Sequence, residues 1–409
     1  MSKKTAIITV LVTCAIVFGG LWYLYQKSAT QTAVPSGLVN APSQDIFGTS
    51  ASGQLASSSQ STSATGTQKI TAKLIELSKD PVAGVSFFTD ATGKDDLWFV
   101  DRGTGNVYAY APASQTGQAL RLTNTTLPKI QEAIFAGAHP NVFFRYLDSA
   151  SADTIDTLAG TVVSTSSSPV GAVTGSLLPQ NIASLLVNPS GTSLFSFVTG
   201  SNGSTGFVSA LDGTKKKQVW TSPASQWNIS WPNDNLLTFT TKGAANQYGF
   251  LYFFNMKTNS MTPVLENLAG LATLTNSAGN LVAYSASDGA GAFTLSILNT
   301  KTNQSNAVSF ATLAEKCAWD PSSGTALYCG VPQSVQSDSY PDAWYQGTES
   351  FSDNIWKYDT TNNTASEIYQ IGQNENASID AFHVAVSPSG KYIAFMNKDD
   401  LSVWMLTLQ

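Results

Sequence analysis

The chain has 409 residues, a formal net charge of −6 and only 12% charged residues, about half of the roughly 25% found in an average soluble domain. Coiled coils and long helical bundles need many more Lys, Glu and Arg, so those classes are excluded, and an apolar fraction of 42% excludes disorder over the whole length. The negative charge argues against a protein that neutralises nucleic-acid phosphates, and three Cys and two His leave little material for a metal centre. We therefore expect no nucleic-acid partner, no metal site and no cofactor.

The N-terminal segment predicts a membrane anchor. Residues 5–25 contain no charged side chain, and a helix of that length, at about 1.5 Å per residue, spans roughly the thickness of the hydrocarbon core. Lys3 and Lys4 precede the segment, and Trp22 lies near its far end, where an interfacial aromatic belt is expected. The excess of positive charge on the N-terminal side predicts a cytoplasmic stub at residues 1–4 and an extracytoplasmic remainder.

Two other interpretations of this segment stay open. A cleaved signal peptide has a shorter apolar core and a cleavage site of small residues, whereas this core runs into the bulky residues 21–25. A lipoprotein would use Cys14, but Thr13 precedes it and eleven uncharged, mostly apolar residues follow it. An uncleaved signal anchor, a single transmembrane helix, fits best, and Cys14 is then a small apolar residue of the span.

Residues 28–68 predict a flexible linker. The segment is rich in Ser, Thr, Gln, Ala and Gly and carries a single charged residue, Asp45. Such a composition buries too little apolar surface to offset the entropy of ordering the chain. We expect a tether with a root-mean-square reach of roughly 35 Å.

From residue 70 onward the sequence repeats. Short apolar segments are followed by turns rich in Pro, Asn, Asp and Gly, which tight turns between strands require. The turns are Asn188–Gly191, Pro232–Asn235, Asn276–Gly279, Asp320–Gly324 and Ser387–Gly390. The residues just before the first four turns, from Val187 to Trp319, are spaced by 44 residues each time, and the gap before the last turn is 67 residues. About 23 residues are therefore inserted before the last turn.

A second strand-and-turn element repeats in step with the first, as in Asn255–Asn259 and Asn299–Asn303. Four short strands per repeat are typical of a β-propeller blade, so we predict an all-β, seven-bladed propeller over residues 70–409. Counts of six or eight blades stay open, because the repeat is weak between residues 80 and 180. The predicted blades are Val82–Leu122, Ile130–Val163, Ile182–Trp220, Trp227–Val264, Leu271–Phe310, Leu313–Ile371 and Phe382–Leu408.

The last turn resembles the repeat of TolB-type, WD-like propellers, in which Ser-Pro-Asp-Gly-Lys precedes a strand that contains Ile-Ala-Phe. Here the stretch reads Ser387-Pro388-Ser389-Gly390-Lys391-Tyr392-Ile393-Ala394-Phe395. Trp231–Asp234 and Trp319–Pro321 are similar, and the resemblance covers most of residues 180–409. It departs from the family pattern where Ser389 replaces the usual Asp, and most blades lack the Lys. The resemblance implies a binding protein, an envelope scaffold or a partner of a hydrolase domain, and it concerns the fold rather than the chemistry.

Candidates for catalytic chemistry are few. His139 is predicted in a turn, and His383 in an innermost strand, where it could line the channel as a proton acceptor or simply form a hydrogen bond there. The adjacent carboxylates Asp95–Asp96 and Asp399–Asp400 are typical of turns, and two facing carboxylates of a glycosidase cannot be inferred from them. The basic run 215–217 predicts a solvated outer strand edge.

The insertion between Gly330 and Asn354 is the predicted functional surface. It joins the second and third strands of the sixth blade, so it should lie at one mouth of the central channel. A loop of this length is uncommon unless it is functional or disordered, and its aromatic residues argue against disorder. The candidate binding residues are Tyr340, Trp344, Tyr345, Phe351, Asp338 and Asp342. Two outcomes stay open: the aromatic rings pack onto the propeller, or Trp344 and Tyr345 stay partly exposed as anchors with a polar rim.

Two long-range contacts are also predicted. The last blade has three strands, and residues 70–77 form an orphan strand, so pairing that strand outside residues 402–407 would close the ring and remove an exposed edge. Pairing Trp319 with Leu327 places Cys317 opposite Cys329, near the separation of a disulfide, which an extracytoplasmic location would permit. The alternative is two buried thiols.

The sequence thus predicts a single-pass membrane protein of the cell envelope that carries an extracytoplasmic propeller. We expect it to bind or scaffold a protein or a cell-surface polymer at the channel-mouth face, without catalysis. The alternative is an enzyme acting on envelope glycans, a hydrolase or lyase, with its site in the mouth of the channel. A cluster of His, Arg and Tyr or two facing carboxylates in a deep pocket would favour the enzyme.

Overall fold

The computed structural model describes residues 74–408, apart from residues 115, 116, 138, 139, 149, 150, 152, 166, 167 and 376. The predicted anchor, the predicted linker and His139 lie outside the described residues. Within the described residues, no helix combines the length and the apolar character that a membrane crossing requires.

The described chain forms seven four-stranded antiparallel sheets, which are the blades of a propeller. Blade 7 includes the first strand, β1 (Leu74–Ser78). Blade 1 contains β2 (Val82–Thr89), β3 (Asp95–Asp101), β4 (Val107–Tyr110) and β5 (Leu120–Arg121). Blade 2 contains β6 (Ile130–Phe135), β7 (Asn141–Leu147), β8 (Ile155–Thr165) and β9 (Ser168–Leu177). Blade 3 contains β10 (Ser184–Val187), β11 (Ser193–Gly200), β12 (Gly203–Ala210) and β13 (Lys217–Ser222).

The remaining blades follow in chain order. Blade 4 contains β14 (Trp227–Asn233), β15 (Leu236–Thr241), β16 (Tyr248–Asn255) and β17 (Ser260–Ala269). Blade 5 contains β18 (Ala272–Thr275), β19 (Leu281–Ser287), β20 (Phe293–Asn299) and β21 (Gln304–Ala307). Blade 6 contains β22 (Cys317–Trp319), β23 (Ala326–Pro332), β24 (Asp353–Asp359) and β25 (Thr364–Tyr369). Blade 7 is completed by β26 (Ala381–Val386), β27 (Tyr392–Asn397) and β28 (Val403–Thr407). The short helices are α1 (Asp342–Gln346), α2 (Ile371–Asn374) and two 3-10 turns, Pro112–Ser114 and Ala314–Lys316.

The prediction of an all-β, seven-bladed propeller is confirmed. The predicted end of blade 2, where the sequence repeat is weak, differs from the structure. Blade 2 was predicted to end at Val163, and that boundary is wrong. The Ser-, Pro- and Gly-containing segment instead forms β9, which pairs with β8 so that Val173 lies opposite Val162. Gly175 suits this strand because a Cβ there would lie 2.0 Å from the carbonyl oxygen of Ala159.

The predicted ring closure is confirmed for the described residues. Strand β1 pairs antiparallel with β28, with Leu74 opposite Leu406 and Glu76 opposite Trp404. Leu74 is buried in the cluster that also contains Leu406. The closing strand therefore removes the free edge that β28 would otherwise expose.

The two faces of the ring are built differently. Because neighbouring strands are antiparallel, the turns between first and second and between third and fourth strands lie on one face, which we call the turn face. The remaining connections lie on the opposite face, which we call the insert face. Contacts confirm the grouping: Thr300 N–H donates to Asn280 O at 3.0 Å, and Leu408 N–H donates to Lys391 O at 2.7 Å. Leu74 pairs near that C-terminal end, so the chain enters the propeller on the turn face.

The turns that carry the family resemblance tie several blades to the next one. Asn188 Nδ2 donates to Asp234 Oδ1 of the following blade at 2.8 Å, and Asn276 Nδ2 donates to Gly324 O at 3.0 Å. Between blades 7 and 1, the Ser389 hydroxyl donates to the Asp95 carboxylate. These side chains have a structural role, which agrees with interpreting the motif as evidence of fold.

Apolar layers between the blades supply the core. The layer between blades 3 and 4 is aromatic: Trp220 stacks on Phe239 at a ring-centroid distance of 4.3 Å, and Phe195 meets Trp231 edge-on at 6.4 Å. Burying each such ring removes about 150–250 Å² from water. This packing fixes adjacent blades rigidly and so positions the loops on both faces.

Candidate functional site

The insertion in blade 6 lies on the insert face, between β23 and β24. It contains α1, a single helical turn that ends at Gly347, where φ is +71°. The equivalent connection in blade 3 is only Ser201 and Asn202. Blade 6 thus carries an elaborated version of a connection that is minimal elsewhere. We call residues 333–352 the insert.

The insert has a hydrophobic core of its own. Tyr340, Trp344 and Phe351 are only 1%, 5% and 4% exposed and pack with Phe293 and Leu313. The Tyr340 ring lies 5.0 Å from the Phe293 ring and 5.7 Å from the Phe351 ring. Of the two outcomes left open, packing onto the propeller therefore holds for these three side chains, Trp344 included, whereas Tyr345 keeps partial exposure. Water is a poor environment for rings of this size, and the layer beneath the insert accommodates them.

Beneath those rings lies a buried ion cluster. Lys316, Asp353 and Asp380 are all fully buried, and Lys316 Nζ contacts Asp353 Oδ2 at 2.8 Å and Asp380 Oδ1 more closely. Trp344 Nε1 donates to Asp380 Oδ2 at 2.8 Å, so the indole joins the insert to this cluster. Phe351 N–H donates to the same oxygen at 3.2 Å. Breaking a buried pair leaves an uncompensated charge, so the cluster holds the insert in one position.

Burial raises the pKa of Asp353 to about 6, with Lys316 opposing the rise and Asp380 adding to it. The carboxyl oxygen Oδ1 of Asp353 has no hydrogen-bond partner among the described residues. A buried carboxylate oxygen that accepts no hydrogen bond favours the protonated form of the carboxyl group.

Three further contacts fix the insert to neighbouring blades. Asp342 Oδ2 accepts from Ala245 N–H of blade 4 at 2.6 Å, and Asp338 N–H donates to Gly291 O of blade 5 at 3.0 Å. The Ser350 hydroxyl donates to Asp399 Oδ1 of blade 7 at 2.5 Å. The insert therefore braces blades 4 to 7 from above. Asp342 serves as a structural acceptor, whereas the side chain of Asp338 is exposed.

A polar group spans the mouth of the channel beside the insert. Tyr345 Oη donates to Glu315 Oε2 at 2.7 Å, and Asn228 Nδ2 donates to Glu315 Oε1 at 3.3 Å. These residues come from the insert, the start of blade 6 and the innermost strand of blade 4. Glu315 keeps some accessible surface, yet the surrounding protein excludes most water and raises the pKa of its carboxyl group, against the opposing hydrogen bond from Tyr345 and the charge of Lys242. Burial next to Glu315 also raises the pKa of the Tyr345 phenol.

A second polar group lines the channel on the other side. His383 is exposed to the channel, and its φ of +48° is unusual for a residue in a strand. The protein around the ring lowers its pKa by excluding water, although Glu132 opposes the shift, so the imidazole is neutral near pH 7. Glu132 pairs with Arg145, whose Nη2 donates to Ile182 O at 2.5 Å. Arg145 thus joins blades 2 and 3, and the group has a structural part.

The disulfide prediction rests on a register that is confirmed. Cys317 lies opposite Cys329, with Trp319 opposite Leu327, on β22 and β23. In the structure the two sulfur atoms are bonded at 2.09 Å. Both residues are buried in the layer between blades 5 and 6.

Two features at this face escaped the sequence analysis. The ion cluster joins residues far apart in sequence, and no local pattern marks them. Tyr248 is the other: it is 70% exposed and opens β16, directly after the connection of blade 4 to which Asp342 is bonded. An aromatic residue just after the polar connection 242–247 was the available signal. Among the described residues, no group of three or more His, Cys, Asp or Glu side chains is arranged to hold a metal ion.

Two depressions elsewhere on the described surface lie away from the insert. One of about 510 Å³ lies at the end of blade 3, around Gly200–Thr205, and its lining contains no titratable side chain. Another of about 400 Å³ lies between blades 4 and 5 on the turn face. Neither includes a residue of the insert, so the channel mouth is the better candidate site.

No protein-family model matches the chain, and no curated protein matches it in sequence. Solved structures match its fold. An oligogalacturonate lyase in complex with manganese has a TM-score of 0.48 and 11% identity, over 82% of this chain and 98% of that one. The oligogalacturonate lyase of Vibrio parahaemolyticus has a TM-score of 0.49 and 12% identity, over 82% and 98%. A β-propeller domain from Myceliophteria thermophila has a TM-score of 0.48 and 9% identity, over 82% and 100%. At these identities the likeness concerns the fold alone.

Proposed function

We propose that this chain is a membrane-anchored, extracytoplasmic propeller that binds or scaffolds a protein or a cell-surface polymer at its insert face. The observation that carries the proposal is the insert itself: a long connection held rigid by a buried ion cluster and by bonds to three neighbouring blades. Rigid scaffolds that present an elaborated loop are typical of binding surfaces. The resemblance to TolB-type repeats points in the same direction.

The chemistry of the face suits binding. Tyr248 supplies an exposed ring beside the insert, and Tyr345 is half-buried at the channel mouth. Exposed aromatic residues next to polar groups are the usual anchors of interfaces, because the ring buries a large area while its hydroxyl group keeps a hydrogen bond. Trp344 and Phe351 support the surface from below, and Asp338 contributes an exposed charge at its edge.

A photo-crosslinking pair tests this assignment. A crosslinking amino acid replaces Tyr248 on the insert face or, as a matched control, Met261 on the turn face of the same blade; both positions are exposed. In the protein's own envelope fraction, the full chain should form a defined adduct from position 248 and not from position 261. Equal adducts from both positions, or no adduct from position 248, would contradict the proposal.

The extracytoplasmic location is supported by the apolar segment 5–25 and by the pairing of Cys317 with Cys329, since disulfides persist mainly outside the reducing cytosol. Thiol counting on denatured, unreduced protein should find one free thiol per chain, that of Cys14. Three free thiols would reject the bridge and remove this support.

One observation favours the alternative of an enzyme that acts on envelope glycans. Glu315 is a carboxyl group with a raised pKa in a polar site at the channel mouth, and such groups serve as general acids. If this alternative is correct, purified envelope glycans should lose chain length when incubated with the protein, and Glu315→Gln should abolish the loss. A wild-type chain that leaves the glycans intact while crosslinking from position 248 would exclude it.

A further inference from the structure

The turn face carries a basic crescent on three consecutive blades. We define this crescent as Lys215, Lys216, Lys217, Lys257 and Lys301, all of them exposed. They belong to the turns between the third and fourth strands of blades 3, 4 and 5, or directly follow such a turn. The turns of these blades on the same face contain two aspartates, Asp212 and Asp234, so the net charge of the region is +3. This excess stands out in a chain whose net charge is −6.

The local geometry places two of these lysines equivalently. Lys257 N–H donates to Asn255 Oδ1 at 2.9 Å, and Lys301 N–H donates to Asn299 Oδ1 at 3.0 Å. Both turns end with an Asn at positive φ, 52° and 56°. The turn of blade 6 has the same form, with Thr361 N–H donating to Asp359 Oδ1 at 2.9 Å. Thr361 therefore occupies the lysine position in blade 6, so the turn does not itself require a lysine.

The chain enters the propeller on this same face, through β1. The insert face on the other side carries charges of both signs, among them Asp288, Asp338 and Glu349 but also Lys79 and Lys129. A chain held at a membrane through the residues before Leu74 would have its turn face next to the tether. The basic crescent and the point of attachment thus share one side of the molecule.

We propose that the basic crescent docks the propeller onto an anionic lipid bilayer, with the insert face turned away from it. Each lysine near an anionic surface strengthens binding by about fivefold, and the attraction acts within about 10 Å at 0.1 M salt. The proposal rests on the proposed membrane anchor: a flexible tether that keeps the bilayer within its reach makes this contact intramolecular, so a weak electrostatic attraction is sufficient. The docked orientation leaves Tyr248 and the insert free for the partner.

The test uses the full chain in vesicles of phosphatidylcholine alone or with one third phosphatidylglycerol, and measures amide hydrogen exchange. Peptides that cover residues 211–217, 256–259 and 300–303 should exchange several-fold more slowly with the anionic vesicles, and 0.5 M NaCl should remove the difference. Lys257→Thr/Lys301→Thr, which copies the turn of blade 6, should weaken binding to the anionic vesicles by about tenfold or more and so remove most of this protection.

The matched control removes two charges from the insert face, Lys79→Thr/Lys129→Asn, where Asn tolerates the positive φ of residue 129. This control should keep full protection. Equal exchange in both vesicles would overturn the proposal, and so would protection that the control removes. Protection that appears only when an anionic polysaccharide is added would assign the crescent to a polymer and likewise overturn the assignment to lipid.

Discussion

The turn face and the insert face of this propeller are stabilised in contrasting ways. On the turn face, one local device repeats: an Asn, Asp or Ser side chain closes its own turn and reaches the next blade, as Asn188 and Asn276 do. On the insert face, the long insert is held by its own aromatic core and by a buried cluster beneath it, in which Lys316 meets Asp353 and Asp380. Many small equivalent contacts hold one face, whereas one concentrated set of contacts holds the other.

The difference has a functional meaning. A face built from repeated turns tolerates change at any one of them, because each contributes about 1 kcal/mol. A face that depends on one buried ion cluster fixes a single conformation and is sensitive to every member of that cluster. We expect the second kind of construction where a surface must be held in a defined shape, as a binding surface must be.

The largest effect should come from removing the strand that joins the two ends of the ring. Deleting residues 70–77 removes most of β1, exposes the edge of β28 and should lower the melting temperature of the whole propeller or prevent folding. Deleting residues 28–66 should leave the melting temperature of the propeller unchanged. Equal melting temperatures for the two truncated chains would show that ring closure does not depend on β1.

The second-largest effect on stability should come from removing the lysine of the ion cluster. Lys316→Met leaves two carboxylates buried without a cation and should lower the free energy of unfolding by about 3–5 kcal/mol. Urea unfolding measures the loss, and the matched control Lys391→Met removes an exposed lysine beside β27, outside the cluster. A loss below about 1 kcal/mol would mean that the cluster does not hold the insert.

The cluster should also leave a pH signature. Because burial raises the pKa of Asp353 from its ordinary 3.8 to about 6, the folded chain keeps a proton that the unfolded chain has released between those values. The contribution of Asp353 to stability is therefore fully present below about pH 4 and falls as the pH rises to about 6. The difference in unfolding free energy between wild type and Asp353→Asn should follow that decline from pH 4 to pH 7. A difference that is constant with pH would contradict the assignment.

The smallest effect should come from one repeated turn. Asn276→Ala removes the bond to Gly324 of the next blade and the bonds that close its own turn, and should cost about 1–2 kcal/mol. The substitution should leave hydrogen exchange in the insert unchanged. A loss as large as that of Lys316→Met would mean that the two faces do not differ as described.

Much of the fold could be predicted from the sequence, because a propeller repeats its local pattern. The turns from Asn188 to Ser387 fixed the blade boundaries, and the register of Trp319 with Leu327 followed from the same pattern. Blade 2 was misjudged since Gly175 and its neighbours mimic a loop, and only the partner strand shows that they pair.

The candidate site was predicted less well, and for a physical reason. The sequence located the insert, but aromatic composition does not show which side of a ring meets the propeller. Trp344 is buried because Asp380 accepts its indole N–H, a contact between residues 36 positions apart. Tyr248, in contrast, is exposed. It pairs with Ala269 at the very end of the two outer strands of blade 4, β16 and β17. Both outcomes depend on tertiary contacts that have no local signature.

The central claim is that the insert face binds a partner and that Tyr248 contacts it. The most direct measurement is competition for the photo-adduct formed from an exposed insert position such as Gln346. An excess of unlabelled chain carrying Met261→Ala should suppress the adduct fully. Unlabelled chain carrying Tyr248→Ala should keep its melting temperature but compete at least about tenfold less well, as expected of an interface hot spot. Equal competition by the two variants would contradict the claim.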